Sequence, residues 1–106
     1  MRKVRVALWG FGAMGKGIAR LLLSRHGVEI VGVCDRYEAY AGQSIYGLLE
    51  LDRRDRAEVK VSATIEEALA AAPVDCCVIA TDSFVKDVFP KIREVVTRGI
   101  NVLTIA

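Results

Sequence analysis

Three glycines and one aspartate carry the first chemistry legible in this sequence. In "LWGFGAMGKG", residues 8–17, Gly10, Gly12 and Gly15 stand in the pattern G-x-G-x-x-G. Glycine weakens helices and strands alike. A cluster of it directly behind the apolar run "KVRVAL" marks a backbone that turns tightly or is closely approached. Gly10 permits the turn, Gly12 leaves room for a pyrophosphate, and Gly15 lets a helix pack close against a strand. The helix start then offers unpaired N–H groups and a positive dipole end to the phosphates. Asp35 lies 20 residues beyond Gly15, the spacing of an acid that accepts hydrogen bonds from adenosine ribose hydroxyls. The ligand implied is NAD or NADP. A generic strand-to-loop glycine turn with a surface aspartate is the plainer alternative, and the order strand, turn, helix, strand, acid argues against it. The carboxylate at position 35 repels a 2′-phosphate, whereas Arg36 beside it can bind that phosphate, stack on adenine or be a solvated loop residue. Lys16 either adds charge near the pyrophosphate or is simply exposed.

The elements that must position these residues alternate along the chain. Residues 3–9 read as a strand, 13–25 as a helix with Gly27 beyond its end, and 28–34 as a second strand. A short helix falls within 42–51, a charged loop at 52–58 and a third strand at 59–62. Thr64 and Glu67 form a capping box opening a helix that Pro73 closes. Residues 75–81 are a strand apolar on both faces, as parallel sheets require. A helix follows to about Arg98, with a kink or restart expected near Val88–Phe89 because Pro90 clashes with the preceding turn. Residues 101–106 form a fifth strand. The fold class expected is α/β, a Rossmann-type doubly wound parallel sheet of order 3-2-1-4-5 with helices on both faces. In such sheets ligands sit beyond the carboxyl ends of the strands where the order reverses, here between strands one and four. Ala80, Thr81, Asp82 and Ser83 should therefore flank the ribose and nicotinamide side of the cofactor, although Asp82 or Ser83 can equally serve as a helix cap.

Composition excludes several other classes. The 106 residues make one domain, 1–106, with 53% hydrophobic and 26% charged residues and a net charge of +2. No basic face points towards nucleic acid. Apolar runs of about five residues are far too short for a membrane span, and the start of the chain lacks a signal-peptide core. The three cysteines form neither a disulfide framework nor a metal-spaced set, so a reducing cytoplasm is the expected location. Cys34, Cys76 and Cys77 read as small core residues, and His26, at a helix end, as dipole-compatible rather than a general base. One of Tyr37, Tyr40 and Tyr46 could cover adenine. No catalytic constellation and no metal cluster is present in the pattern. A stand-alone nucleotide-sensing module, like potassium-channel regulatory domains, shares the glycine turn and acid and is the rival from another class. A methyltransferase-like domain binding S-adenosylmethionine usually lacks the full glycine pattern.

"VALWGFGAMGKGIARLLLSRHGVEIVGVCD", "GQSIYGLLEL", "ATDSFVKDVFPKI" and "RGINVLTIA" together resemble the amino-terminal half of the 2,4-diaminopentanoate dehydrogenases, relatives of dihydrodipicolinate reductase. The likeness covers nearly the whole chain. It implies an NAD- or NADP-dependent oxidative deamination of 2,4-diaminopentanoate to 2-amino-4-oxopentanoate. By position it implies cofactor roles for Gly10, Phe11, Gly12, Ala13, Met14, Gly15, Asp35, Arg36 and Thr81. Members of that family continue into a second domain that binds the small amino acid substrate and mediates dimerisation, so catalytic residues are expected outside this chain and the chain alone is expected to be inactive. A homodimer is expected of the longer protein, and self-association of the isolated domain through the free edge at Asn101–Ile105 is a side expectation.

Overall fold

The computed structural model describes residues 2–81 and 85–104, with the backbone alone for 85–87. Alternating apolar runs become parallel strands: β1 (Val4–Trp9), β2 (Val28–Cys34), β3 (Val61–Ser62), β4 (Cys76–Ile79) and β5 (Asn101–Thr104). Helices α1 (Ala13–Leu23), α2 (Ile45–Leu49), α3 (Ile65–Ala70) and α4 (Val85–Val96) fall between them. All pairings are parallel and the order is β3-β2-β1-β4-β5, as the sequence predicts. A parallel sheet must be covered on both faces, and two buried clusters do this. On one face Val6, Leu8, Ile30 and Val78 pack with Phe11, Ala19, Ile45 and Leu49. On the other, Ala7, Cys77 and Ile79 pack with Ala68, Leu69, Val88 and Val95.

Several elements differ from the sequence reading in extent. β3 pairs with β2 at two positions only, because Lys60 instead bridges antiparallel to Ser44. Helix α1 ends at Leu23, and its tail tightens as Ser24 N–H reaches Leu21 O and Arg25 N–H reaches Leu22 O. The Thr64 hydroxyl caps α3 by accepting from Glu67 N–H at 3.3 Å, but the Glu67 carboxylate returns to that hydroxyl (3.2 Å), so the box is half formed. A 3-10 turn at Glu38–Tyr40 was not anticipated. Within the described residues α4 runs through Pro90 without restarting. Pro90 is exposed, and buried Val88 and Val95 on either side of it hold the helix to the sheet. Residues 105–106 of the expected fifth strand lie outside the described residues.

One glycine that no turn requires holds the second layer in place. The pairing of β1 with β2 skips Val31, where a bulge sits between Ile30 and Gly32. A Cβ on Gly32 would run into the Ala68 carbonyl of α3, backbone that yields only if the helix moves. On Gly17, by contrast, a Cβ meets no described atom within 4 Å. Gly32→Ala is therefore expected to lower stability by about 1–3 kcal/mol, whereas Gly17→Ala raises it by up to about 1 kcal/mol. Urea unfolding of the two variants checks the contrast.

Candidate functional site

The glycine turn leaves β1 and enters α1 in the way its spacing predicts. Gly10 adopts φ +113°, and a Cβ there would lie 2.7 Å from Thr81 Cγ2 and 2.8 Å from the Ala80 carbonyl. The turn thus presses against the end of β4. Gly15 is buried, and a Cβ on it would collide with the Gly10 carbonyl, so α1 docks on the turn only because residue 15 is glycine. Gly12 is the N-cap of α1, supplies no side-chain cap, and faces open space: a Cβ would meet no described atom within 4 Å. Across this start Lys16 N–H donates to Gly12 O at 2.8 Å. The N–H groups of the turn ahead of it lack intrahelical partners, as at any helix start. Ala13 and Met14, which sit there, are exposed.

Asp35 holds this turn in position. Its Oδ2 accepts from Phe11 N–H at 2.6 Å and its Oδ1 from Tyr37 N–H at 2.8 Å. Gly10 N–H also bonds the Cys34 carbonyl at 2.8 Å, so the glycine turn is stitched to the end of β2 at two adjacent points. The sequence pattern singled out Phe11 through the resemblance. Its side chain is fully buried, which anchors the turn in the core, and its N–H is engaged by Asp35. Tyr46 is buried and donates to the Ala57 carbonyl at 3.2 Å, which removes it from any ligand role. Tyr37 is exposed and meets Tyr40 edge-to-face, with ring centroids 4.8 Å apart. Lys16 is not a loose surface cation: its ammonium donates to the Tyr40 hydroxyl at 2.6 Å and lies 4.5 Å from that ring's centre.

A cleft of about 400 Å³ opens at the carboxyl edge of the sheet. Gly10, Gly12, Asp35, Arg36, Ala80 and Thr81 line it, as the sequence reading requires. Asp82 and Ser83, expected beside them, lie outside the described residues. Trp9, Cys34, Ala63, Thr64, Ile65 and Lys91 complete the wall. The loop at Ala63–Ile65 could have been inferred, since it follows the carboxyl end of β3 next to Asp35. Lys91 carried no sequence signal, because its place depends on how α4 docks. A larger, shallower hollow of about 640 Å³ runs along β5 and α4, where among the described residues the polar side chains of Asn101 and Thr104 share a mostly apolar lining. Burial pushes the Cys34 thiol up to about 11 and the Cys77 thiol up to about 12, so neither supplies a thiolate near neutral pH. Among the described residues no group of histidine, cysteine and acidic side chains could hold a metal ion, and no helix is long and apolar enough to cross a membrane.

The arrangement has close counterparts among solved structures. Amine dehydrogenase from Mycobacterium smegmatis superposes with a TM-score of 0.85 at 35% identity, over 95% of this chain and 29% of that one. The fold is of the Rossmann type. GenD2 from gentamicin A biosynthesis, solved in complex with NAD, matches this Rossmann domain with a TM-score of 0.73 at 28% identity, over 98% of it and 27% of the GenD2 chain. The 2,4-diaminopentanoate dehydrogenase of Acetoanaerobium sticklandii is 42% identical over 106 residues, all of this chain. The chain resembles the amino-terminal NAD(P)-binding domain of that dehydrogenase, and it spans 30% of the length of this curated relative. No protein-family model matches it.

The carboxylate of Asp35 is structural before it is anything else. Asp35→Asn swaps one acceptor oxygen for an N–H₂ group facing a backbone N–H, and is expected to cost about 1–3 kcal/mol without any ligand present. Denaturant unfolding of the variant measures that loss.

Proposed function

We propose that this chain binds NAD or NADP across the cleft at the carboxyl edge of its sheet. The observation that carries the reading is the open face of Gly12 at the start of α1, in the same cleft as the Asp35 carboxylate. The backbone of Gly12, Ala13 and Met14 cradles the pyrophosphate, favoured by the helix dipole. Gly10 and Gly15 keep that backbone close to the sheet, and Phe11 anchors it. Each Asp35 oxygen retains a lone pair after its backbone bond, and these accept from the adenosine ribose. Arg36, on the rim of the cleft, serves adenine or a 2′-phosphate. Ala80 and Thr81, with Asp82 and Ser83 after them, flank the nicotinamide half.

The cofactor supplies hydride chemistry, and the domain supplies its binding and orientation. For the longer protein we propose an amino acid dehydrogenase that oxidatively deaminates 2,4-diaminopentanoate. The identity of 42% across the whole chain supports this substrate class. Substrate-binding and catalytic residues would belong to a further domain, through which the protein forms a homodimer, and the three free thiols suit a reducing cytoplasm. The likenesses to two dehydrogenases and an NAD complex do not favour a stand-alone sensing module.

Gly12 has φ −76°, a conformation that any residue adopts, and space for a side chain. Gly12→Val is therefore expected to fold with an unchanged unfolding midpoint yet bind dinucleotide about tenfold more weakly or worse, because the isopropyl group fills the phosphate's space. Calorimetric titration with NAD and NADP decides it, and equal affinities in wild type and variant would place the pyrophosphate elsewhere. Asp35→Ser removes the charge that repels a 2′-phosphate, so the ratio of NADP to NAD affinity should rise. Both affinities should fall together, since Phe11 N–H loses its anchor. An unchanged ratio would remove Asp35 from cofactor selection.

A further inference from the structure

The same cleft holds a cation that neither the glycine turn nor the ribose acid explains. Lys91, midway along α4, extends towards the crevice between β1 and β4, where strand order reverses. Its Nζ donates to Thr81 Oγ1 at 2.5 Å and lies 5.4 Å from the centre of the Trp9 ring. Trp9 is the last residue of β1, and Thr81 follows the end of β4, so the lysine spans the two strand ends that bound the crevice. Lysine loses more rotamer freedom than most side chains when it is ordered. The hydroxyl and the aromatic face together supply both a hydrogen-bond acceptor and a cation-binding surface to offset that loss.

We infer that Lys91 is a positioning residue for the nicotinamide half of a bound dinucleotide and biases the site towards the reduced cofactor. The inference rests on the dinucleotide reading above. Adenosine ribose and pyrophosphate are common to both redox forms and lie at the Asp35 and Gly12 end. The forms differ by one unit of positive charge on the nicotinamide ring. An ammonium at the β1–β4 end repels the added positive charge of the oxidised ring, whereas its attraction to the pyrophosphate is the same for both redox forms and cancels in their ratio. Removing the ammonium subtracts one positive charge from this end whatever other groups it touches. Through its bond to Thr81, the same ammonium also fixes a hydroxyl that lines the crevice.

Wild type, Lys91→Met and Lys91→Arg are to be titrated with NAD⁺, NADH and ADP-ribose, which lacks nicotinamide. Lys91→Met should shift the ratio of NAD⁺ to NADH affinity by about three- to tenfold in favour of NAD⁺, the range for one charge acting across a partly screened cleft. ADP-ribose, which carries the same pyrophosphate, reports any loss common to both redox forms, and Lys91→Arg should retain the wild-type ratio. Lys91→Gln replaces the methionine variant if the latter fails to fold. An unchanged ratio in the neutral variant overturns the inference while leaving the dinucleotide reading intact. An equal loss of all three ligands also overturns it, by showing a role common to both halves of the cofactor. Wild-type protein that binds none of the three would instead overturn the dinucleotide reading and this inference with it.

Discussion

A carboxylate between two backbone amides holds this domain's working edge together. Asp35 accepts from Phe11 N–H and Tyr37 N–H, one residue inside the glycine turn and the other at the head of the tyrosine turn. Charge-assisted bonds of this kind are shorter and stronger than neutral ones. The pair fixes two loops that follow neighbouring parallel strands and would otherwise be independent. Gly10 N–H on the Cys34 carbonyl adds a second stitch beside it. The buried phenyl ring of Phe11 closes the arrangement from below. With the loop held at three points, the start of α1 presents its N–H groups in one direction.

Close approach explains the rest of the layout. Gly10 lets the turn reach the end of β4, Gly15 lets α1 settle on the turn, and Gly32 lets α3 settle on β2. At each place a single Cβ would overlap backbone, which cannot rotate away as a side chain can. Dense packing in protein interiors makes such overlaps costly. Gly12 differs, since the space beside it stays open. The first three glycines serve the fold, while the open one leaves room for a ligand. The pattern G-x-G-x-x-G combines both uses in six residues.

Charge is distributed unevenly along the cleft. Asp35 and Arg36 follow the end of β2, the helix start follows β1, and Lys91 meets Thr81 after β4 and Trp9 at the end of β1. An extended ligand with chemically different ends therefore meets different surroundings at each, and has one preferred direction in the groove. Lys16 contributes to the frame of the adenosine end by tying α1 to Tyr40, whose ring meets both Phe11 and Tyr37.

The sequence by itself determined the strand order, both helical layers, the glycine turn and the acid that follows β2. All of these follow from local periodicity, glycine spacing and the handedness of parallel crossovers, which act over short stretches of chain. It left open whether Tyr46 is buried away from any ligand, it did not reveal the bulge at Val31 that sets Gly32 against α3, and it did not show Lys91 at the crevice. It also assigned Asp35 to a ligand alone, whereas the fold engages that side chain with Phe11 and Tyr37. Only the tertiary structure decided these points. Each joins residues whose meeting depends on strand register and on the docking of a helix, and a pattern read along one segment holds no information about the segment that will pack against it.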